Sequence, residues 1–118
     1  MEAQNAVQYL AALAQDSRLT IFRLLVQKGS EGLPAGAIAE ALGLPAATLS
    51  FHLTQLKQAG LITRRRESRS LIYAANYAAM NELLGYLTDN CCGVGANACA
   101  PSACAPAAAP SMNSRRRA

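Results

Sequence analysis

Apolar residues recur at Val7, Leu10, Ala11 and Ala14, the i, i+3, i+4, i+7 spacing that lays one stripe along an α-helix. The stretch QDSRLTIFRLLVQKG places Leu19, Phe22, Leu25 and Val26 on a second helical stripe, with Asp16 or Ser17 as N-cap and Gly29 as C-cap. After the turn SEGLP, residues 35–42 read as a short helix stopped by Gly43. Pro45 sits where a first helical turn tolerates it, and a further helix runs over residues 46–59 to Gly60. Two short helices joined by a brief glycine-containing turn form a helix-turn-helix.

The period changes after Gly60. LITRRRESRSLIYAAN holds two β-prone runs, residues 61–65 and 70–74, about a polar turn at Glu67 and Ser68, which predicts a hairpin. Tyr77, Met80, Leu83, Leu84 and Leu87 return to helical spacing and predict a last helix over residues 76–90. The remainder is rich in Ala, Gly and Pro, lacks periodicity and is expected to stay largely disordered without a ligand. The expected fold is mainly α with a β-hairpin wing, a winged helix-turn-helix in the order α-α-α-α-β-β-α. Residues 1–90 would form the folded domain, and residues 91–118 a cysteine-containing tail.

A chain of 118 residues supports one domain whose small core favours a partner subunit, so a homodimer is expected. Eleven Lys and Arg against seven acidic residues leave a net charge of +4, which suits a polyanion. The opening MEAQNAVQYL has neither the basic nor the apolar region of a signal peptide, and no run reaches the roughly 18 apolar residues of a membrane span. The expectation is a cytoplasmic protein with no membrane partner.

On a wheel of the fourth helix, Leu49, Leu53 and Leu56 form the core side, Ala47, Phe51, Thr54 and Gln58 lie opposite, and Ser50 flanks them. Small residues at its first turn let the helix end approach a major groove and offer its amides to a phosphate. Phe51 on the outward side suits apolar contact with a thymine methyl, or else packs on a neighbouring element. His52 lies between the two sides, where a histidine is more often packed or phosphate-bonding than a metal ligand. Arg64, Arg65, Arg66 and Arg69 crowd the hairpin tip, a self-repelling cluster that gains most when phosphates or a narrow minor groove neutralise it.

All four cysteines, Cys91, Cys92, Cys99 and Cys104, fall within NCCGVGANACAPSACAP. In a reducing compartment such a cluster points to metal or redox chemistry rather than structural disulfides. Its spacing lacks the C-x2-C knuckles of structural zinc sites, and no imidazole lies close by in sequence to broaden the choice of a soft guest. As(III) or Sb(III) takes three sulfurs in a pyramid, which the adjacent pair plus one more cysteine supplies. Gly93 and Gly95 give the intervening loop its freedom. Cys99 is the preferred third ligand over Cys104, because its loop is shorter and does not pass Pro101. A zinc or cadmium-type ion, a thiol redox switch or an inert tail are the alternatives. The redox C-x-x-C motif is missing and no base stands beside a cysteine in sequence, so neither an enzyme nor an organic cofactor is expected.

The ordered segments LAQDSRLTIFRLL and AIAEALGLPAATLSFHLTQLKQAGLI, followed by the basic hairpin, resemble the ArsR/SmtB family of winged helix-turn-helix metalloregulatory repressors over residues 6–90. The resemblance implies a homodimer joined through the first and last helices. It also implies binding to a partly palindromic operator duplex, released when a metal or metalloid binds. Ala46, Ala47, Thr48, Ser50, Phe51 and His52 would then face the bases, and Arg64, Arg65, Arg66 and Arg69 the backbone or minor groove. Two departures stand out. Arsenic sensors of this family carry a Cys-x-Cys pair where this chain has Pro34 and Gly36, and zinc sensors carry His and carboxylate ligands on a last helix that here offers only Glu82 and Asp89. Any ion sensing falls to the tail cysteines.

Overall fold

The structure, a computed structural model, describes residues 1–93. Five helices, α1 (Ala3–Leu13), α2 (Asp16–Lys28), α3 (Ala35–Leu42), α4 (Ala46–Ala59) and α5 (Tyr77–Leu87), accompany three strands, β1 (Leu33–Pro34), β2 (Ile62–Glu67) and β3 (Ser70–Ala75), and a 3-10 turn at Cys91–Gly93. The strands form one antiparallel sheet in the order β1-β3-β2.

The core joins Ile21, Phe22 and Leu25 of α2, Ile38 of α3 and Leu49, Leu53 and Leu56 of α4 to Leu61, Ile62, Tyr73 and Ala75 around the sheet. Each such aliphatic side chain, fully buried, contributes about 2 kcal/mol of transfer free energy. The leucine side of α4 is thereby committed inward, which fixes the direction of its opposite side. Gly43 and Gly60, both left-handed, end α3 and α4 at the predicted places. Asn76 ties the sheet to the last helix: its backbone N–H donates to Leu61 O at 2.8 Å, its Nδ2 to Gly60 O at 2.9 Å, and its Oδ1 accepts from Ala79 N–H at 3.2 Å.

Several local expectations are corrected. The N-cap of α2 is neither Asp16 nor Ser17 but Gln15, whose extended backbone lets Oε1 accept from Arg18 N–H at 2.9 Å; Asp16 already belongs to the first helical turn. The hairpin turns at Ser68 and Arg69, because β2 continues through Glu67, which pairs with Ser70; Ser68 takes a left-handed φ of 54°. β1 was not anticipated.

The face that α1 buries also differs. Ala6 is buried, and Tyr9, Ala12 and Leu13 pack against the core. The predicted stripe of Val7, Leu10, Ala11 and Ala14 is exposed, Val7 at 63% and Leu10 at 43%. Both stripes satisfy helical spacing, and the one carrying the large Tyr9 ring, which lies beside Gly60, packs inward.

The chain divides into two compact units, the first Met1–Leu83 and the second from Leu84 on. In the second, Thr88 Oγ1 donates to Leu84 O at 2.8 Å, Asn90 adopts φ 57°, and Cys91 N–H donates to Thr88 O at 3.0 Å to begin the 3-10 turn. The helix thus stops short of the predicted residue 90. No helix among the described residues is long and apolar enough to cross a membrane.

Candidate nucleic-acid interface and thiol pair

α4 begins after Pro45, which serves as its N-cap without a side-chain hydrogen bond. Ala46, Ala47 and Thr48 of its first turn are exposed, so the helix presents unpaired amides behind small side chains. Ser50 is exposed one turn on, and Phe51 is 57% exposed, directed away from the leucine side. The alternative that Phe51 packs on another element is not what the structure holds.

His52 departs from this set. It is buried to 7% exposure, and Arg18 Nη1 donates to its Nδ1 at 3.5 Å. Arg18 Nε also donates to Ala12 O at 2.7 Å, so this guanidinium links the last turn of α1 to the middle of α4. This side chain is not presented outward as Ser50 and Phe51 are. The expectation that His52 faces DNA is corrected to a packed, hydrogen-bonded residue whose ring lies 5.6 Å from that of Phe51.

The hairpin separates its arginines by register. Opposite residues on antiparallel strands share a face, so Arg64 lies with Tyr73 and Arg66 with Leu71 on one side, and Arg65 with Ile72 on the other. All four arginines are exposed. Arg65 nonetheless has protein partners: Nε donates to Glu67 Oε2 at 2.9 Å, Nη2 to Glu31 O at 2.7 Å and Nη1 to Ser30 O at 3.3 Å. The sequence reading grouped the four arginines together and missed this difference. Strand alternation within the run was the signal that could have exposed it.

Cys91 and Cys92 open the 3-10 turn with their sulfurs 3.6 Å apart, Cys91 half-buried and Cys92 exposed with φ 61°. Two thiolates on one tetrahedral ion with metal–sulfur bonds of about 2.3 Å stand roughly 3.8 Å apart, so the pair is already near the spacing of two ligands on one centre. Cys99 and Cys104 lie outside the described residues. Among those described, no group of three Cys, His, Asp or Glu side chains is gathered for a metal.

The sequence matches a helix-turn-helix domain family over residues 13–65. The nodulation protein NolR of Rhizobium meliloti is 34% identical over 88 residues, spanning 75% of this chain and 70% of NolR. An ArsR-like transcriptional regulator from Rhodococcus sp. RHA1 superposes with a TM-score of 0.64 at 25% identity, over 71% of this chain and 76% of that one. The homodimeric winged helix-turn-helix DNA-binding domain of Mb0332 from Mycobacterium bovis superposes with a TM-score of 0.60 at 32% identity, over 68% of this chain and 72% of that one. The chain belongs to the ArsR/SmtB family of transcriptional regulators.

Within the ArsR/SmtB fold the two departures seen in the sequence acquire places. Pro34 is the N-cap of α3 and Gly36 lies in its first turn, where neither offers a donor atom from its side chain. Glu82 is exposed on α5 and Asp89 lies beyond its end.

Proposed function

We propose that this ArsR/SmtB regulator is a homodimeric repressor that holds a partly palindromic operator and releases it when As(III) or Sb(III) binds C-terminal thiolates. The observation that carries the reading is the adjacent thiol pair at Cys91 and Cys92, 3.6 Å apart just after α5. Two soft donors at ligand spacing, with no imidazole beside them in sequence, favour a thiophilic guest. Cys99 completes the pyramid, with Cys104 as its substitute.

Ala46, Ala47, Thr48, Ser50 and Phe51 read the major groove, and Arg64, Arg66 and Arg69 of the wing reach phosphate. Dimerisation uses the first and last helices: Val7 and Leu10 of α1 are exposed in the first unit and, separately, Tyr86 and Leu87 of α5 in the second. Metalloid binding at residues continuous with α5 acts on the dimer and so on the distance between the two α4 helices. A hundredfold loosening of the operator requires the inducer to favour the released form by the same factor, about 2.7 kcal/mol.

The test is operator release followed by fluorescence anisotropy against As(III), Sb(III) and Zn(II) for the four single Cys→Ser variants. Cys91→Ser and Cys92→Ser should each keep operator affinity and lose release. A full metalloid response in both would sink the site. Equal loss in Cys99→Ser and Cys104→Ser would favour a four-thiolate zinc or cadmium-type site, and release by a thiol oxidant alone would favour a redox switch.

A further inference from the structure

We infer that Arg65 is a positioning residue that latches the wing to the α2–β1 turn, and that it contributes no phosphate contact of its own. The inference rests on the proposed reading of the wing as a DNA-contacting element. Arg65 lies in the middle of a run of three arginines, but the β pleat turns it to the opposite face from Arg64 and Arg66. There its guanidinium spreads over three acceptors from two parts of the chain: the carbonyl oxygens of Ser30 and Glu31 in the turn after α2, and the carboxylate of Glu67 on its own strand.

The turn it grips also packs closely on the sheet. Gly32 has φ +73°, and a Cβ there would collide with the carbonyl oxygen of Tyr73, the residue paired with both Leu33 and Arg64. Close backbone packing at Gly32 therefore seats the turn against the middle of β3, and Arg65 anchors it to the outer strand β2. A planar fork suits two neighbouring carbonyls in a way that a single ammonium does not. Glu67 offsets the charge of Arg65 and orients it, which lowers its pull on a phosphate. Arg64, Arg66 and Arg69 keep theirs.

Counterion release separates the two roles. Each arginine that neutralises a phosphate adds about 0.9 to the slope of log affinity against log salt, whereas a residue that only aims the wing changes affinity and leaves the slope in place. The experiment takes a duplex selected by the wild-type protein from a random pool. Anisotropy titrations at a series of KCl concentrations then compare Arg65→Ala, Arg65→Lys, Arg64→Ala and Arg66→Ala, with far-UV circular dichroism as a check on folding. Arg65→Ala should weaken binding about three- to tenfold with an unchanged slope. Arg65→Lys, which keeps the charge and loses the fork, should behave like Arg65→Ala. Arg64→Ala and Arg66→Ala should each flatten the slope.

A slope that falls in Arg65→Ala as it does in Arg64→Ala overturns the inference. So does restoration of affinity by Arg65→Lys, or wild-type affinity in both Arg65 variants. Slopes unchanged in Arg64→Ala and Arg66→Ala as well would instead remove the wing from the interface, a failure of the underlying reading.

Discussion

Gly32 shows how much one residue can decide in this chain. Its left-handed φ of +73° disfavours any side chain, and the space where a Cβ would stand is taken by the Tyr73 carbonyl. Gly32→Ala combines left-handed strain with a backbone collision, and should cost about 3 kcal/mol in urea unfolding. A midpoint close to wild type would mean that the turn has another conformation open to it. Nothing in SEGLP marks this glycine as special, since the residue it meets lies on a strand far along the chain. His52 was ambiguous for a related reason. A wheel places it between faces, and its burial and its contact with Arg18 of another helix appear only in the folded chain. Phe51 was legible because its outward direction follows from the leucines opposite, whatever the rest of the fold does.

Among elements, those with strong local signals were read closely. The glycines after α3 and α4 and the proline before α4 mark backbone geometry that needs no tertiary context, and those helices fall where expected. β1 carried no such signal, being two residues long, one of them proline, and strand only through its pairing with Ile72 and Tyr73. α1 was recognised as a helix while its inward face was not, since periodicity finds a stripe without saying what covers it. The exposed stripe carries a consequence. If it forms the subunit contact, Val7→Lys with Leu10→Lys should leave unit one folded, because both side chains stand outside its core, and should convert the dimer to monomer in sedimentation equilibrium. An unchanged dimer in that variant would remove α1 from the interface.

At the scale of the whole molecule, net charge and the outward side of α4 indicated a nucleic-acid partner before any fold was drawn. A two-fold assembly would place its two α4 helices in successive major grooves on one side of the duplex. Footprinting should therefore show protection symmetrical about a centre, with half-sites roughly 34 Å apart. A single asymmetric patch would indicate that the monomer binds alone. For the tail the sequence supplies a set of thiols and no geometry. Four soft donors can be counted from the sequence, but which of them meet depends on loop closures that differ by only fractions of a kcal/mol.

The two outer strands of the sheet also bear on how this protein behaves when it is abundant. β1 is too short to template a neighbour, and Pro34 lacks the N–H that an incoming strand would need. β2, on the far side, bears Arg64, Arg65 and Arg66, so a second copy laid along it would set like charges against each other. Two of these arginines, Arg64 and Arg66, thus combine a role at a phosphate backbone with protection of the sheet edge against fibril growth, and Arg65 adds to the protection alone. Exchanging them for neutral β-formers would threaten solubility as well as operator binding.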